Sequence, residues 1–145
     1  MNINDDLAKA SEELGGGAKF SLLKQTGRLK SSPAESAEDV TGFDYVASDN
    51  GKCYGYYAAN PPLVGLTKPE PVPCPLGLAV VNDYKISYQE VIDIFHKGNW
   101  GSKFTDISLS KPLTPAVKDP MWYLVSDTGV HVVINANTGE PNVQQ

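Results

Sequence analysis

The chain is poor in the side chains that most enzymes use for chemistry. Its 145 residues include two histidines and two cysteines, and the cysteines lack the C-x-x-C spacing of a zinc site or redox motif. No H-E-x-x-H, G-x-S-x-G, EF-hand or dinucleotide-binding pattern occurs, and the acidic residues are scattered along the sequence. We therefore predict a non-enzymatic protein with no cofactor and no metal.

Long hydrophobic runs and an excess of basic residues are also missing. No segment approaches the ~18–20 apolar residues that a membrane-spanning helix needs. The formal net charge of -5 argues against nucleic acid, whose phosphates require clustered Lys and Arg. Residues 1–6 are polar and acidic, unlike a signal peptide, which predicts a cytoplasmic protein unless a signal peptide has been removed. Cys53 and Cys74 are then expected as free thiols, with one disulfide as the alternative in an oxidising compartment.

Two helices are predicted. Over residues 4–14, Asn4 suits the N-cap, apolar residues recur at helical spacing, and a run of glycines follows. The second helix begins at Ser87, which forms a capping box with Glu90, and it ends near Gly98. His96 falls in its last turn, where a cation complements the helix dipole.

Two β-hairpins are predicted at residues 45–54 and 123–132. The first contains Asn50-Gly51, the strongest short hairpin signal, and the second has Thr128-Gly129 at the same place. Residues 61–75 are rich in proline and predict an extended connection, because proline cannot occupy a helix interior or a central strand. Residues 76–81 predict a buried strand.

The two hairpins also indicate an internal duplication. The motif YVASDNG at residues 45–51 matches YLVSDTG at residues 123–129, and a Lys-Phe pair precedes each. The offset falls from 84 residues at the Lys-Phe pair to 78 at the hairpin, which places an insertion in residues 31–41. We predict an α+β fold: a first repeat over 1–60, a Pro-rich connection and strand over 61–82, and a second repeat over 83–145. The two helix-plus-hairpin repeats are expected to form one sheet with the helices on one face.

Residues 86–140 resemble a PepSY-type domain. The resemblance rests on the helix start Ile86-Ser87-Tyr88-Gln89-Glu90-Val91, on the strand from Trp122, and on the closing turn Asn135-Ala136-Asn137-Thr138-Gly139-Glu140, which has Asn where the family usually has Asp. A tandem of such units is similar in plan to the β-lactamase-inhibitor-protein-like fold. Both resemblances imply a protein that binds or restrains other proteins, often peptidases, and no binding-site residue of the inhibitor-protein-like family can be transferred. We predict an inhibitor or immunity-type protein that blocks a partner, such as a peptidase or a toxin, through an open sheet face.

Candidate binding residues follow from the hairpin registers. A two-residue turn places Tyr123, Val125, Val132 and Ile134 on the face towards the helices. The other face then carries the predicted partner-binding residues Trp122, Leu124, His131, Val133, Tyr57 and Val46. This second face is also apolar, so it is either covered by another part of the chain or free to bind a partner. A small-ligand or sensory domain with a pocket beside the Pro-rich loop is the alternative function. An enzyme that uses Cys53 or Cys74, with His131 as a conceivable partner of Cys53, is a third.

Overall fold

The computed structural model describes residues 20–60, 63, 65–81 and 83–144. The helix predicted over residues 4–14 lies outside these residues. The described part contains one α-helix, α1 (Tyr88–Lys97), a short 3₁₀ helix (Ala37–Asp39), and nine strands. The strands are β1 (Ser21–Leu29), β2 (Val40–Asp49), β3 (Lys52–Ala59), β4 (Glu70–Val72), β5 (Leu78–Ala79), β6 (Phe104–Pro112), β7 (Met121–Ser126), β8 (His131–Asn135) and β9 (Pro141–Gln144).

The strands form one antiparallel sheet in the order β4-β3-β2-β1-β6-β7-β8-β9, with β5 paired to the end of β6. The predicted α+β class with two helix-plus-hairpin repeats is wrong, because sheet dominates the described residues and they contain a single α-helix. The sequence analysis missed β1 and β6. Each contains an irregularity, between Leu22 and Lys24 and between Phe104 and Asp106, which breaks the apolar alternation typical of a strand.

Helix α1 agrees with its prediction. The Ser87 hydroxyl accepts a hydrogen bond from the Glu90 amide at 3.2 Å, and the Glu90 carboxylate accepts one from the Ser87 amide at 3.4 Å. This capping box satisfies two amides that would otherwise lack partners at the helix start. Val91, Ile92 and Phe95 are buried and pack the helix against one face of the sheet. His96 is exposed at the last turn, where its Nε2 lies 3.0 Å from the Ser102 carbonyl oxygen.

The two predicted hairpins exist, but their loops differ in length. In β2–β3, Asp49 pairs with Lys52, so the loop is the two residues Asn50 and Gly51, both with positive φ. In β7–β8, the Ser126 amide donates to the Val130 carbonyl, which leaves residues 127–129 as a three-residue loop. Gly129 closes this loop with a φ of 87°. Such three-residue loops use a glycine at the last position.

The connection between the halves is partly extended, as the prolines predict. Pro71 lies in β4, an edge strand, where a residue without an N–H is tolerated. The buried strand predicted over residues 76–81 is wrong in extent, since only Leu78–Ala79 pairs with β6. Leu76 is 95% exposed, and Val81 is the buried residue of this segment.

Cys53 and Cys74 form a disulfide with a Cα–Cα distance of 5.2 Å. The expected free thiols are therefore wrong. Val72 pairs with Cys53 across the β3–β4 ladder, so the chain returns to Cys53 two residues later. Within the described part of the chain, no helix has the length and apolar character to cross a membrane.

Candidate partner-binding face

Two of the six predicted binding residues belong to the core. Trp122 and Leu124 are 0% and 1% exposed. The Trp122 indole Nε1 donates to the Ile86 carbonyl at 2.9 Å, and its ring packs 6.0 Å from that of Phe43 and 5.8 Å from that of Tyr84. Their assignment to a binding face is wrong because the β7–β8 loop has three residues. Val132 and Ile134 are buried as expected, and the extra loop residue moves the inward positions of β7 by one.

The other four predicted residues, Tyr57, Val46, His131 and Val133, lie on the opposite face of the sheet, which we call the open face. Cross-strand partners share a face, so one row of it can be read directly from the registers. That row runs across seven strands: Tyr57, Asp44, Thr26, Ser108, Tyr123, Val133 and Asn142. Tyr57 and Tyr123 are four strands apart in it, about 19 Å at ~4.8 Å per strand. The structure therefore places the predicted residues of the two halves on one face without bringing them into contact.

The first half of the open face carries charged residues, of which Arg28 and Asp44 pair with each other. Arg28 donates two hydrogen bonds of 2.8 Å to the Asp44 carboxylate, and its guanidinium lies 4.4 Å from the centre of the Tyr57 ring. The hydrogen bond to Asp44 raises the pKa of Arg28 above its usual value. The Tyr57 hydroxyl donates to the Thr41 carbonyl at 3.3 Å. Because Arg28, Asp44 and Tyr57 bond to groups of the protein itself, these three side chains offer a partner protein few unmet groups.

The second half of the open face contains an apolar patch, flanked by polar residues such as Ser108 and Asp106. We define the Tyr123 patch as Met121, Tyr123, Val125 and Val133, which are cross-strand or same-face neighbours on β7 and β8. All four are half-buried, and none of them belongs to the buried core cluster or packs against it. Burial raises the pKa of Tyr123. Beside the patch, a depression of about 440 Å³ is lined by Met121 and Val133 together with the polar residues Asn135, Glu140 and Asn142. His131, which pairs with Val125, is exposed at the edge of the patch.

The sequence analysis missed Tyr123 and Met121 as surface residues. The available signal was the loop sequence Asp127-Thr128-Gly129, in which a single glycine follows two non-glycine residues. A two-residue type I′ turn needs positive φ at both positions, which Thr tolerates poorly because it is β-branched. A three-residue loop was therefore the better interpretation, and it would have placed Tyr123 on the open face.

The closing turn beside this face is held by the side-chain amide of Asn135. The Asn135 Oδ1 accepts hydrogen bonds from the amides of Asn137 and Thr138, and its Nδ2 donates to the Asp119 carboxylate at 3.1 Å. Asn137 Nδ2 donates to the same carboxylate at 2.8 Å, and these bonds lower the pKa of Asp119. An aspartate at 135 would set a second carboxylate against Asp119, so the amide fits this chain.

The thiol-enzyme alternative has no chemical basis in the oxidised protein. Cys53 is in a disulfide and has no thiolate to act as a nucleophile. It lies on β3 and His131 on β8, with β2, β1, β6 and β7 between them. Across residues 20–60, 63, 65–81 and 83–144, no group of three or more His, Cys, Asp and Glu side chains is placed to hold a metal ion.

Comparisons with known proteins identify one solved structure with a similar fold, and they identify no family. The sequence matches no family model and no curated protein. Among solved structures, the fold is similar to that of a candidate lipoprotein from Clostridium difficile 630, with a TM-score of 0.60 and 14% identity over 97% of this chain and 90% of the other. At that identity the likeness shows a shared fold alone, and the PepSY-type resemblance stays a prediction.

Proposed function

We propose that this protein is a non-enzymatic binding module, acting outside the cytoplasm, that holds a partner protein against the Tyr123 patch. In its finer form the proposal is that the partner is an enzyme, such as a peptidase or toxin, and that binding inhibits it. The observation that carries the proposal is an aromatic and aliphatic patch on the sheet face that α1 does not occupy. A sheet needs only one apolar face to build a core, so a second one calls for another explanation.

The composition of the patch supports a protein partner. Tyrosine is enriched among the residues that dominate binding energy at interfaces, and methionine adapts to irregular apolar surfaces. None of the four patch residues is charged, and Asp106, which pairs with Val125, is exposed at the edge of the patch, where a charge can stay hydrated. The net charge of -5 favours a partner with a basic surface around its contact site. The PepSY-type resemblance of residues 86–140 points in the same direction.

The disulfide supports a location outside the cytoplasm. Cys53–Cys74 would be reduced in the cytosol of most organisms and persists in oxidising compartments. The similarity of the fold to a candidate lipoprotein agrees with this location. The cytoplasmic prediction rested on the polar residues 1–6, which cannot distinguish a cytoplasmic chain from one whose signal peptide has been removed.

The proposal is tested with matched tyrosine variants. The oxidised protein, Tyr123→Ala and Tyr57→Ala are each assayed against a panel of secreted peptidases, and each is immobilised to capture binding proteins from the extracytoplasmic fraction of the source cells. We expect one peptidase or captured protein to bind the native protein, with affinity reduced by more than about tenfold in Tyr123→Ala. Tyr57→Ala, on the first half of the same face, is expected to bind normally.

The outcomes separate the general proposal from its finer form. A partner that binds both variants equally would show that the Tyr123 patch is not the interface. A captured partner that loses affinity for Tyr123→Ala but keeps its catalytic activity when bound would support the binding module and contradict inhibition. Thermal unfolding shows that each variant is fully folded at the assay temperature, so that a loss of binding is not a loss of folded protein.

A further inference from the structure

Two exposed leucines lie on neighbouring segments of chain at one end of the sheet. In the described part of the chain, the large hydrophobic side chains that are exposed are those of Leu63, Leu76, Val80 and Leu113. Three of these four belong to residues 75–80 and 111–118, which we call the leucine tip. The Leu113 amide donates to the Gly77 carbonyl at 2.8 Å, which joins the two segments. Single exposed leucines are normal on a protein surface, whereas a cluster of them indicates a surface that binds something.

Leu76 projects from a turn that is held on both sides. It is 95% exposed, and Leu113 beside it is 70% exposed. Gly77 has a φ of 75°, and a Cβ built on it would meet no atom within 4 Å, so the turn borders open space. On one side of the turn, Cys74 is bound to Cys53, and on the other side β5 pairs with the end of β6. Burying Leu76 against a partner would therefore require little ordering of the backbone.

The charged side chains of the leucine tip are all basic. Residues 75–80 contain no charged side chain, and residues 111–118 contain Lys111 and Lys118. Both lysines line a depression of about 450 Å³ that also borders Leu113. Neither lysine forms a salt bridge with any residue that the structure describes. The adjacent carboxylate of Asp119 accepts hydrogen bonds from two side-chain amides of the closing turn, so it does not neutralise the lysines by direct contact.

We propose that the leucine tip binds the surface of a bilayer that contains anionic phospholipid. Leu76 and Leu113 enter the boundary between headgroups and acyl chains, and a lipid phosphate occupies the depression beside Lys111 and Lys118. A bilayer fits these features better than a protein does, because projecting apolar side chains enter lipid without needing a matching pocket. The lysines supply the local attraction to anionic headgroups that the formal net charge of -5 would otherwise oppose.

The test measures how much protein sediments with lipid vesicles. The oxidised full chain is mixed with vesicles of phosphatidylcholine alone, or of equal parts of phosphatidylcholine and phosphatidylglycerol. We expect binding to the mixed vesicles, with binding to phosphatidylcholine weaker by about tenfold or more, because the attraction of the lysines to anionic headgroups is then lost. Added salt should weaken binding to the mixed vesicles, since it screens the same attraction.

Leucine variants test the apolar part of the contact. Leu76→Ser combined with Leu113→Ser should weaken binding to the mixed vesicles by about tenfold or more, because less apolar surface then enters the bilayer. Both leucines lie outside the core, so the double variant should unfold at the temperature of the native protein. Leu63→Ser is the matched control, because Leu63 is 52% exposed but bonds to Asn60 just beyond β3, at the end of that strand away from Cys53.

Lysine variants test the charged part of the contact. Lys111→Gln should weaken binding to the mixed vesicles by about fivefold and leave binding to phosphatidylcholine unchanged. Lys103→Gln is the matched control, because Lys103 is exposed at the opposite end of β6 and should not reach the membrane. Equal losses in the two variants would show that net charge, and not the leucine tip, determines binding.

Fluorescence separates insertion from adsorption. In Leu76→Trp, the mixed vesicles should shift the emission of the new indole to shorter wavelength, and lipids with brominated acyl chains should quench it. Leu63→Trp should show neither change. Trp122 is buried and Trp100 is half-buried, and both contribute the same background to the two variants.

The proposal is overturned if the native protein sediments equally with both kinds of vesicle or with neither. It is also overturned if the double leucine variant binds as the native protein does, or if the emission of Leu76→Trp does not shift. Should vesicles not bind, and the double leucine variant lose a captured protein that Tyr123→Ala retains, the leucine tip is a protein interface instead. The vesicle measurements do not involve the Tyr123 patch, so this proposal and the proposed protein-binding function can fail independently.

Discussion

The β2–β3 and β7–β8 hairpins share Tyr, Ser, Asp and Gly at corresponding sequence positions, but present opposite residues to the core. Tyr45 is 1% exposed on the buried face, whereas Tyr123, its counterpart in the motif, lies on the open face. Trp122 takes the inward position instead. The two loops differ by one residue, and one residue is enough to reverse the faces of a strand relative to its partner. Motif similarity therefore identifies a hairpin without fixing which side chains it exposes.

The largest expected loss of stability comes from replacing one of two neighbouring residues on opposite faces of β7 with alanine. Trp122→Ala should lower the free energy of unfolding by about 3–5 kcal/mol, because it empties a fully buried site and removes the hydrogen bond to Ile86. Tyr123→Ala should cost about 1 kcal/mol. Urea unfolding of both variants measures the difference. Equal losses would mean that Tyr123 is also packed as core.

The disulfide gives the first hairpin a restraint that the second lacks. Cys53 and Cys74 are 21 positions apart, so cross-linking restricts a short loop of the unfolded chain. Replacing both with Ala should lower the free energy of unfolding by about 3 kcal/mol. Denaturant unfolding with and without a reducing agent provides the measurement, and the double variant should no longer respond to reduction. A native protein insensitive to reduction would contradict a stabilising bond.

The glycines that close the two loops should have similar, smaller effects. Gly51 and Gly129 have φ values of 84° and 87°, and a Cβ at either would meet no atom within 4 Å. Gly→Ala at each should cost about 1–2 kcal/mol, because the left-handed conformation alone is penalised. Thermal unfolding of the pair tests this. A much larger loss at one glycine would show that its loop makes contacts absent from this structure.

The smallest effect concerns Asp119, which holds the turn after β8. Hydrogen bonds from Asn135 and Asn137 lower its pKa in the folded protein. The stabilisation is therefore fully present above the pKa of the unfolded chain, about 3.9, and is lost as the pH falls through the lowered folded value. Asp119→Asn should reduce this acid dependence slightly, as followed by urea midpoints between neutral and acid pH. An unchanged acid dependence in the variant would assign the effect to other carboxylates such as Asp39, whose pKa is also lowered.

Local signals in the sequence predicted local structure. The Ser87–Glu90 capping box and the Asn50-Gly51 turn both act within four residues, and both were correct. The disulfide was not predictable, because Cys74 reaches Cys53 only through the pairing of β4 at the sheet edge. Of the six residues predicted on the open face, four lie there and two are buried. The error in these two arose because the β7–β8 loop is one residue longer than predicted.

The central pair of strands has a consequence for how the chain folds. β1 and β6 join the halves, and Lys24 pairs with Ser110, 86 positions further along the chain. Contacts between such distant residues slow folding, because the intervening chain must close first. During synthesis, β1 can pair with β2 long before β6 emerges from the ribosome. Until then the edge of β1 that will pair with β6 has no strand beside it and can pair with another nascent chain. Chaperone binding at this edge would therefore protect the protein most.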